Sequence, residues 1–146
     1  MKASRKLSRR FALQGIYAWQ LSGQDPVEIA AHLREDEEFG KSDQAFFLRL
    51  FHGVTESVAS LDPRLAAHVD RPIAELSPVE LAVLRLGVFE LAECVDVPYR
   101  VVINEAVELA KQFGGTDGHK YVNGVLDKLA KELRAAEIEY AKKSAK

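Results

Sequence analysis

The stretch VELAVLRLGVFELAE, residues 79–93, is apolar on nearly every side when it is placed on a helix. Its few charged residues are scattered around the helical circumference: Glu80, Arg85, Glu90 and Glu93. A helix that is apolar all round belongs in the middle of a bundle rather than on its surface. The stretch therefore predicts a central helix that is surrounded by other helices.

Helical signals continue on both sides of this central stretch. Three prolines directly follow a capping residue, which is typical of helix N-termini: Asp25-Pro26, Asp62-Pro63 and Ser77-Pro78. Apolar residues recur at steps of three and four and predict helices over about 5–21, 26–34, from Ser42 or Asp43 onward, 102–113 and 122–133. We therefore expect residues 1–146 to form a single all-α domain, a helical bundle of about six or seven helices, with a tail at 135–146 that frays.

The composition excludes several classes of protein. The chain has 146 residues, of which 47% are apolar, enough for a core without disulfides or metal. Its 20 Lys and Arg against 22 Asp and Glu give a net charge of −2, which excludes a histone-like polycation. No apolar run reaches the roughly 18 residues of a membrane span, and no signal-peptide pattern is present. We therefore expect a cytoplasmic protein that does not associate with membranes.

The residues that carry metal or catalytic chemistry form no pattern in this sequence. The four histidines lie in separate segments and lack the spacing of metal ligands on a helix. The only cysteine, Cys94, cannot form an intramolecular disulfide and is expected to be a small buried hydrophobe. We therefore expect no metal site, no cofactor and no enzymatic activity.

The first ten residues carry the strongest charge asymmetry of the chain. On a helix that begins near Ser4, Arg5 and Arg9 lie one turn apart, and Lys6 and Arg10 form the adjacent row. Clustered arginines suit phosphate recognition, because the guanidinium offers bidentate donors and stacks on bases. The pattern indicates an RNA-binding face, with an ordinary basic tail as the alternative.

Three segments of the chain carry a family resemblance. They are RRFALQGIYAWQL at 9–21, VELAVLRLG with FEL at 79–91, and DVPYRVVINEAVELAK at 96–111, which KYVNGVLD continues at 120–127. Together they resemble the NusB family of bacterial transcription antitermination and ribosomal-RNA biogenesis factors. The resemblance spans almost the whole chain and implies an all-helical protein of two packed halves.

The resemblance also implies a function and a set of site residues. It implies a non-enzymatic factor that binds the single-stranded boxA element of ribosomal-RNA leaders together with the ribosomal protein NusE. As part of the RNA polymerase antitermination complex, such a factor supports read-through and ribosomal-RNA maturation. The RNA-binding segment of the family falls on Arg5, Lys6, Arg9 and Arg10, and a second element falls on Lys120 and Tyr121. The free protein is expected to be a monomer or a homodimer.

Two charges of the central helix are expected to face the NusE-like partner. Glu80 and Arg85 are the candidates, because unpaired charges are costly to bury. The alternatives for them are an intramolecular ion pair and a capping box between Glu80 and Ser77.

Two other functions compete with RNA-dependent antitermination. One is a protein–protein interaction or dimerisation module that has no RNA role. The other is an RNA-binding domain related to those of 5-methylcytosine RNA methyltransferases, which needs a catalytic domain after Lys146. A mobility shift with boxA and scrambled RNA separates these readings.

Overall fold

The structure, a computed structural model, describes residues 2–115 and 117–144. Over these residues the fold is all-α and contains no β-sheet, which confirms the predicted fold class. Seven helices are present: α1 Arg5–Ser22, α2 Pro26–Leu33, α3 Gln44–Ala66, α4 Pro78–Glu93, α5 Tyr99–Phe113, α6 Gly118–Leu133 and α7 Ala135–Ser144. Two short 3₁₀ turns, Phe39–Lys41 and Ile73–Glu75, precede α3 and α4.

Side-chain caps fix the start of several helices where the sequence predicts them. The hydroxyl of Ser4 accepts a hydrogen bond from the Leu7 N–H, and that of Ser77 accepts one from Glu80. Of the two residues that the sequence left open as the start of α3, Asp43 is the cap, because its carboxylate accepts from the Phe46 N–H at 3.0 Å. Each cap satisfies a backbone donor that has no partner inside its own helix.

One predicted helix start, Asp62-Pro63, is wrong. α3 runs through Pro63 and ends at Ala66. The Asp62 carboxylate does not cap a new helix, because it accepts two hydrogen bonds from the Arg85 guanidinium of α4, at 2.7 and 3.0 Å. A partner from another helix therefore decides the role of this aspartate.

The central position predicted for the stretch 79–93 is confirmed. α4 contacts α1 and α3 on one side and α5 and α6 on the other. In the first half α1 packs against α2 and α3, and in the second half α5 packs against α6. One hydrophobic core contains buried residues from α1 through α6. The buried residues of α4 thus join the two halves.

Cys94 ends α4 and is fully buried. Burial raises the pKa of its thiol to about 11. The residue therefore stays a neutral, packed side chain at neutral pH, as the sequence analysis expected.

The C-terminal segment differs from the expected frayed tail. Residues 135–144 form helix α7, whereas residues 145 and 146 lie outside the described part of the chain. Glu137 of α7 accepts hydrogen bonds from the Arg134 guanidinium and from the Tyr99 N–H, at 2.6 and 2.9 Å. The first contact fixes the junction of α6 and α7, and the second attaches the first turn of α7 to the start of α5. Sequence periodicity cannot reveal either contact.

Gly53 allows α3 and α4 to approach closely, and its substitution tests this packing. A Cβ atom at Gly53 would clash with the buried ring of Phe89 in α4. We expect Gly53→Ala to lower the free energy of unfolding by about 1–3 kcal/mol, the usual cost of overpacking a core. Alanine's better helix propensity, worth roughly 1 kcal/mol, opposes this cost and reduces the expected net loss to at most about 2 kcal/mol.

Urea denaturation of Gly53→Ala and Gly124→Ala measures the effect. Gly124 lies in α6, and a Cβ there would meet no atom within 4 Å. We therefore expect the control variant to be as stable as the unmodified chain or more stable. Equal stability of the two variants would contradict the close approach at Gly53.

Candidate RNA-binding surface

The two cationic rows of α1 point in different directions. Because Ser4 caps the helix and α1 begins at Arg5, the predicted rows Arg5–Arg9 and Lys6–Arg10 do form. The first row lies over Phe46 of α3, with the Arg5 and Arg9 guanidinium carbons 4.1 and 5.1 Å from the ring centroid. The second row lies along α5. The structure therefore divides the predicted basic face into two parts.

Arg9 points into the protein. Its Nε and Nη2 atoms donate to the two carboxylate oxygens of Glu90 in α4, at 2.7 and 3.0 Å. The exposed fractions of the two side chains are only 6% and 2%. Burial raises the pKa of the Glu90 carboxyl above its usual value, although Arg9 opposes this shift. The guanidinium of Arg9 is thus engaged inside the fold and is not available to a phosphate in this conformation.

Arg5 lies at the edge of the bundle among acidic neighbours. Its guanidinium is 3.6 Å from the carboxylates of both Asp43 and Asp96, and its side chain is 44% exposed. Exposed pairs of this length contribute little to stability. Arg5 is therefore accessible to a phosphate, in competition with two carboxylates.

Lys6 and Arg10 line an open cleft between α1 and α5, which we call the basic cleft. Its volume is about 150 Å³, and its lining comprises Lys6, Leu7, Arg10, Glu105, Glu108, Leu109 and Gln112. The Lys6 ammonium donates to Glu105 at 3.3 Å while its side chain stays 69% exposed. Within the described residues the buried Nε of Arg10 has no hydrogen-bond partner. The Arg10 guanidinium carbon lies 5.2 Å from the Phe11 ring, so this cation is held against the wall of the cleft.

An apolar groove, which we call the aromatic groove, follows the basic cleft along α1. It has a volume of about 140 Å³ and is lined by Leu13, Gln14, Tyr17, Val79 and Phe113. The rings of Tyr17 and Phe113 are both 38% exposed. Lys6, Arg10, Gln14 and Tyr17 recur at helical-turn spacing, so the cleft and the groove share one face of α1.

Tyr121 and Lys120 lie at the start of α6, beyond the aromatic groove. Glu80 of α4 connects the two regions, because it follows Val79 of the groove and its carboxylate packs against Gly118 of α6. Lys120 is 74% exposed, with Asp117 at 3.6 Å. Tyr121 packs partly against the core, and its hydroxyl donates to Asp70 at 2.9 Å. The predicted second element therefore consists of an exposed cation beside a partly buried ring at the start of α6.

The structure departs from the expectation for Arg85 and gives Glu80 a local role. Arg85 pairs with Asp62, and its Nη1 donates to the Gln20 side chain at 3.0 Å, so this charge pairs internally instead of facing a partner. The reason is that α3 places an acidic residue directly opposite Arg85. Glu80 is half-buried at the N-terminus of α6, where a helix dipole favours a carboxylate.

Sequence reasoning missed three residues of this surface. It treated Phe113 as core, because periodicity does not distinguish a fully buried ring from one at a groove edge. It gave Tyr17 no role, although the helical spacing of Tyr17 from Lys6 and Arg10 was the available signal. Arg71, which lies over Tyr121, belongs to a segment between helices and has no pattern that points to it.

In residues 2–115 and 117–144, no group of three or more His, Cys, Asp or Glu could hold a metal ion. No described helix is both long enough and apolar enough to cross a membrane.

Comparisons with known proteins agree with the fold. A model of the NusB family matches residues 6–131. The transcription antitermination protein NusB of Thiobacillus denitrificans is 58% identical over 143 residues, which are 98% of this chain and 99% of that protein.

Solved structures of NusB proteins share this fold. NusB from T. maritima superposes with a TM-score of 0.80 at 31% identity, over 90% of this chain and 94% of that chain. A crystal structure of the antitermination factors NusB and NusE in complex with dsRNA gives a TM-score of 0.79 at 29% identity, over 88% and 96% of the two chains. The family match, the 58% identical relative and the shared architecture show that this chain belongs to the NusB family of transcription antitermination factors, which are not enzymes.

Proposed function

We propose that this chain binds the single-stranded boxA element of ribosomal-RNA leaders together with NusE and thereby supports read-through by RNA polymerase and ribosomal-RNA maturation. The observation that carries the proposal is that the basic cleft and the aromatic groove follow one another along one face of α1. Tyr121 adds a partly buried ring at the start of α6. This surface offers cations for phosphates and half-exposed rings for bases. A complex of NusB and NusE with dsRNA among the structural neighbours supports RNA binding together with NusE.

The arrangement of this surface favours a single strand over a duplex. Aromatic side chains stack on unpaired bases, whereas a duplex keeps its bases stacked on each other. Tyr17 and Phe113 line the same groove, whereas Tyr121 lies at the start of α6, so the groove and Tyr121 would receive different bases. Because the target is a nascent transcript, the proposed site of action is the bacterial cytoplasm.

NusE is the proposed protein partner. Of the two residues that the sequence predicted to contact it, Glu80 and Arg85, only Glu80 remains a proposed contact. Arg85 is excluded from this role because its guanidinium is engaged by Asp62 and Gln20. The carboxylate of Glu80 is half-buried beside α6, at the border of the RNA surface. A partner that contacts Glu80 would therefore lie next to the bound RNA.

Titration with three RNAs tests the proposal. The chain, with and without NusE, is mixed with single-stranded boxA RNA, a scrambled strand of equal length, and boxA annealed to its complement. We expect the tightest binding for single-stranded boxA and a further gain with NusE. Equal affinity for the boxA and scrambled strands would reject the boxA target. Absence of RNA binding under both conditions would favour a pure interaction module.

Removing the cations of the basic cleft is expected to change the salt dependence of RNA binding. In Lys6→Ala/Arg10→Ala, the slope of log affinity against log salt should fall by roughly 0.7 for each lost phosphate contact. The matched control is Lys142→Ala/Lys143→Ala, which removes two exposed charges from α7. Slopes that are the same in both double variants and in the unmodified chain would identify the N-terminal cations as a solubilising segment.

Tyr121 is expected to stack on a base through its ring and not through its hydroxyl. Stacking contributes roughly 1–3 kcal/mol per base, so Tyr121→Ala should weaken RNA binding by about 5- to 150-fold. Tyr121→Phe should bind nearly normally because it keeps the ring. The control is Tyr140→Ala, since Tyr140 is a 74% exposed tyrosine of α7.

RNA titration of the three tyrosine variants, with circular dichroism to verify folding, measures this difference. If Tyr121→Ala binds as tightly as Tyr121→Phe, the ring serves core packing alone.

A further inference from the structure

Two residues between α3 and α4 cover the ring of Tyr121. The Tyr121 hydroxyl donates to Asp70 Oδ1 at 2.9 Å and accepts from the Asp70 N–H at 3.3 Å. Arg71 donates to both oxygens of the same carboxylate, at 2.8 and 3.4 Å. Its guanidinium carbon lies 5.1 Å from the centroid of the Tyr121 ring. We call Asp70, Arg71 and Tyr121 the tyrosine latch.

The guanidinium of Arg71 occupies the side of the ring that a base would use. Tyr121 packs partly against the hydrophobic core, whereas the Arg71 side chain is 43% exposed. The ring face beneath an exposed guanidinium is therefore the outer face. A planar guanidinium and a nucleobase both stack on aromatic rings, so they compete for the same position.

The contacts that hold Arg71 in place are weak enough to be exchanged. Arg71 and the Tyr121 hydroxyl keep the pKa of the Asp70 carboxyl below its usual value, so Asp70 is ionised at neutral pH. The ion pair lies at the surface, where water and salt screen it. A phosphate offers the guanidinium the same bidentate acceptor geometry as the carboxylate. One nucleotide thus supplies a replacement for both partners of Arg71.

We infer that Arg71 is an RNA-contacting residue that exchanges partners on binding. A base of the RNA takes the outer face of Tyr121, and the guanidinium turns from Asp70 to a backbone phosphate of the bound strand. Asp70 then keeps only its contact with the Tyr121 hydroxyl, which holds the ring in place. This inference rests on the proposed function. It adds one RNA-contacting residue, Arg71, and an exchange of its partners at the Tyr121 ring.

Salt-dependent titration with single-stranded boxA RNA tests the phosphate contact. Arg71→Ala should lower the salt slope by about 0.7 and weaken binding by about four-fold at 0.15 M salt through counterion release. Arg71→Lys should retain the slope because it retains the charge. The matched control is Arg100→Ala: Arg100 donates to the Tyr99 hydroxyl at 3.1 Å and lies 5.8 Å from that ring, at the start of α5. We expect the control to keep the unmodified slope.

Asp70→Asn separates partner exchange from a purely structural latch. It removes the carboxylate that competes with phosphate, so binding should be at least as tight as in the unmodified chain, with the full slope. If Asp70→Asn weakened RNA binding as much as Arg71→Ala does, the ion pair would only shape the loop. That result would overturn the inference. A salt slope in Arg71→Ala equal to that of the unmodified chain would overturn the inference as well.

Photocrosslinking provides a readout at the ring itself. BoxA RNA carrying 5-bromouracil is irradiated with the protein, and mass spectrometry locates the adducts. We expect an adduct on Tyr121 in both the unmodified chain and Arg71→Ala, since the base needs only the ring. Tight RNA binding without that adduct would overturn the exchange and leave the proposed function standing. If the unmodified chain did not bind boxA RNA, both the partner exchange and the proposed function would be rejected.

Discussion

Arg9→Ala is expected to lower the free energy of unfolding by about 3–5 kcal/mol, because it leaves the Glu90 carboxylate buried without its partner. The pair is bidentate and joins α1 to α4 across the two halves of the bundle. Urea denaturation measures the loss. Arg5→Ala is the control, since Arg5 is one turn away and its ion pairs are long and exposed. Equal stability of the two variants would contradict a structural role for Arg9.

The double variant Arg9→Met/Glu90→Leu separates folding from RNA binding. Replacing both members of a buried ion pair with apolar residues of similar size is often neutral or stabilising. This variant should therefore fold, lack the Arg9 charge, and keep the salt slope of RNA binding. A slope lowered by about 0.7 in a folded double variant would mean that Arg9 leaves Glu90 to contact a phosphate.

Arg134→Ala is expected to cost a similar amount of stability, about 3–5 kcal/mol, because several hydrogen bonds to a charged group are lost at once. The buried guanidinium donates to the main-chain carbonyls of Glu90, Leu91, Cys94 and Val97 at 2.7–3.1 Å. The first three of these carbonyls lie at the C-terminal end of α4, and those of Glu90 and Cys94 also accept the main-chain N–H groups of Cys94 and Val97. Arg134 therefore caps the central helix from the end of α6.

Thermal or urea denaturation of Arg134→Ala, Arg134→Lys and Lys131→Ala tests this cap. Lys131 is an exposed cation in the last turn of α6, and its loss should have little effect. Lysine at 134 should recover only part of the stability, because one ammonium cannot reach the four carbonyls that the guanidinium fork reaches. Full recovery by lysine would show that the charge matters and the fork geometry does not.

Local sequence determined most of the fold. Helix caps act within three residues, so the sequence marked Asp25 and Ser77 as helix starts and narrowed the start of α3 to Ser42 or Asp43. The nearly uninterrupted apolar character of 79–93 placed α4 at the centre, because no other position hides all of its faces. Family resemblance in three segments then identified RNA as the expected ligand and named the two ends of the candidate surface.

Only the tertiary structure decided which charges remain available on that surface. Arg9 and Arg10 are neighbours in the sequence. In the structure Arg9 pairs with Glu90 of α4, whereas Arg10 borders an open cleft. The sequence likewise made Asp62 a helix cap and Arg85 a partner contact, although the two pair with each other across α3 and α4. The physical reason is the range of each interaction. Caps and periodicity are encoded by neighbours in the chain, whereas the burial and pairing of a charge depend on which residue a distant helix places opposite it.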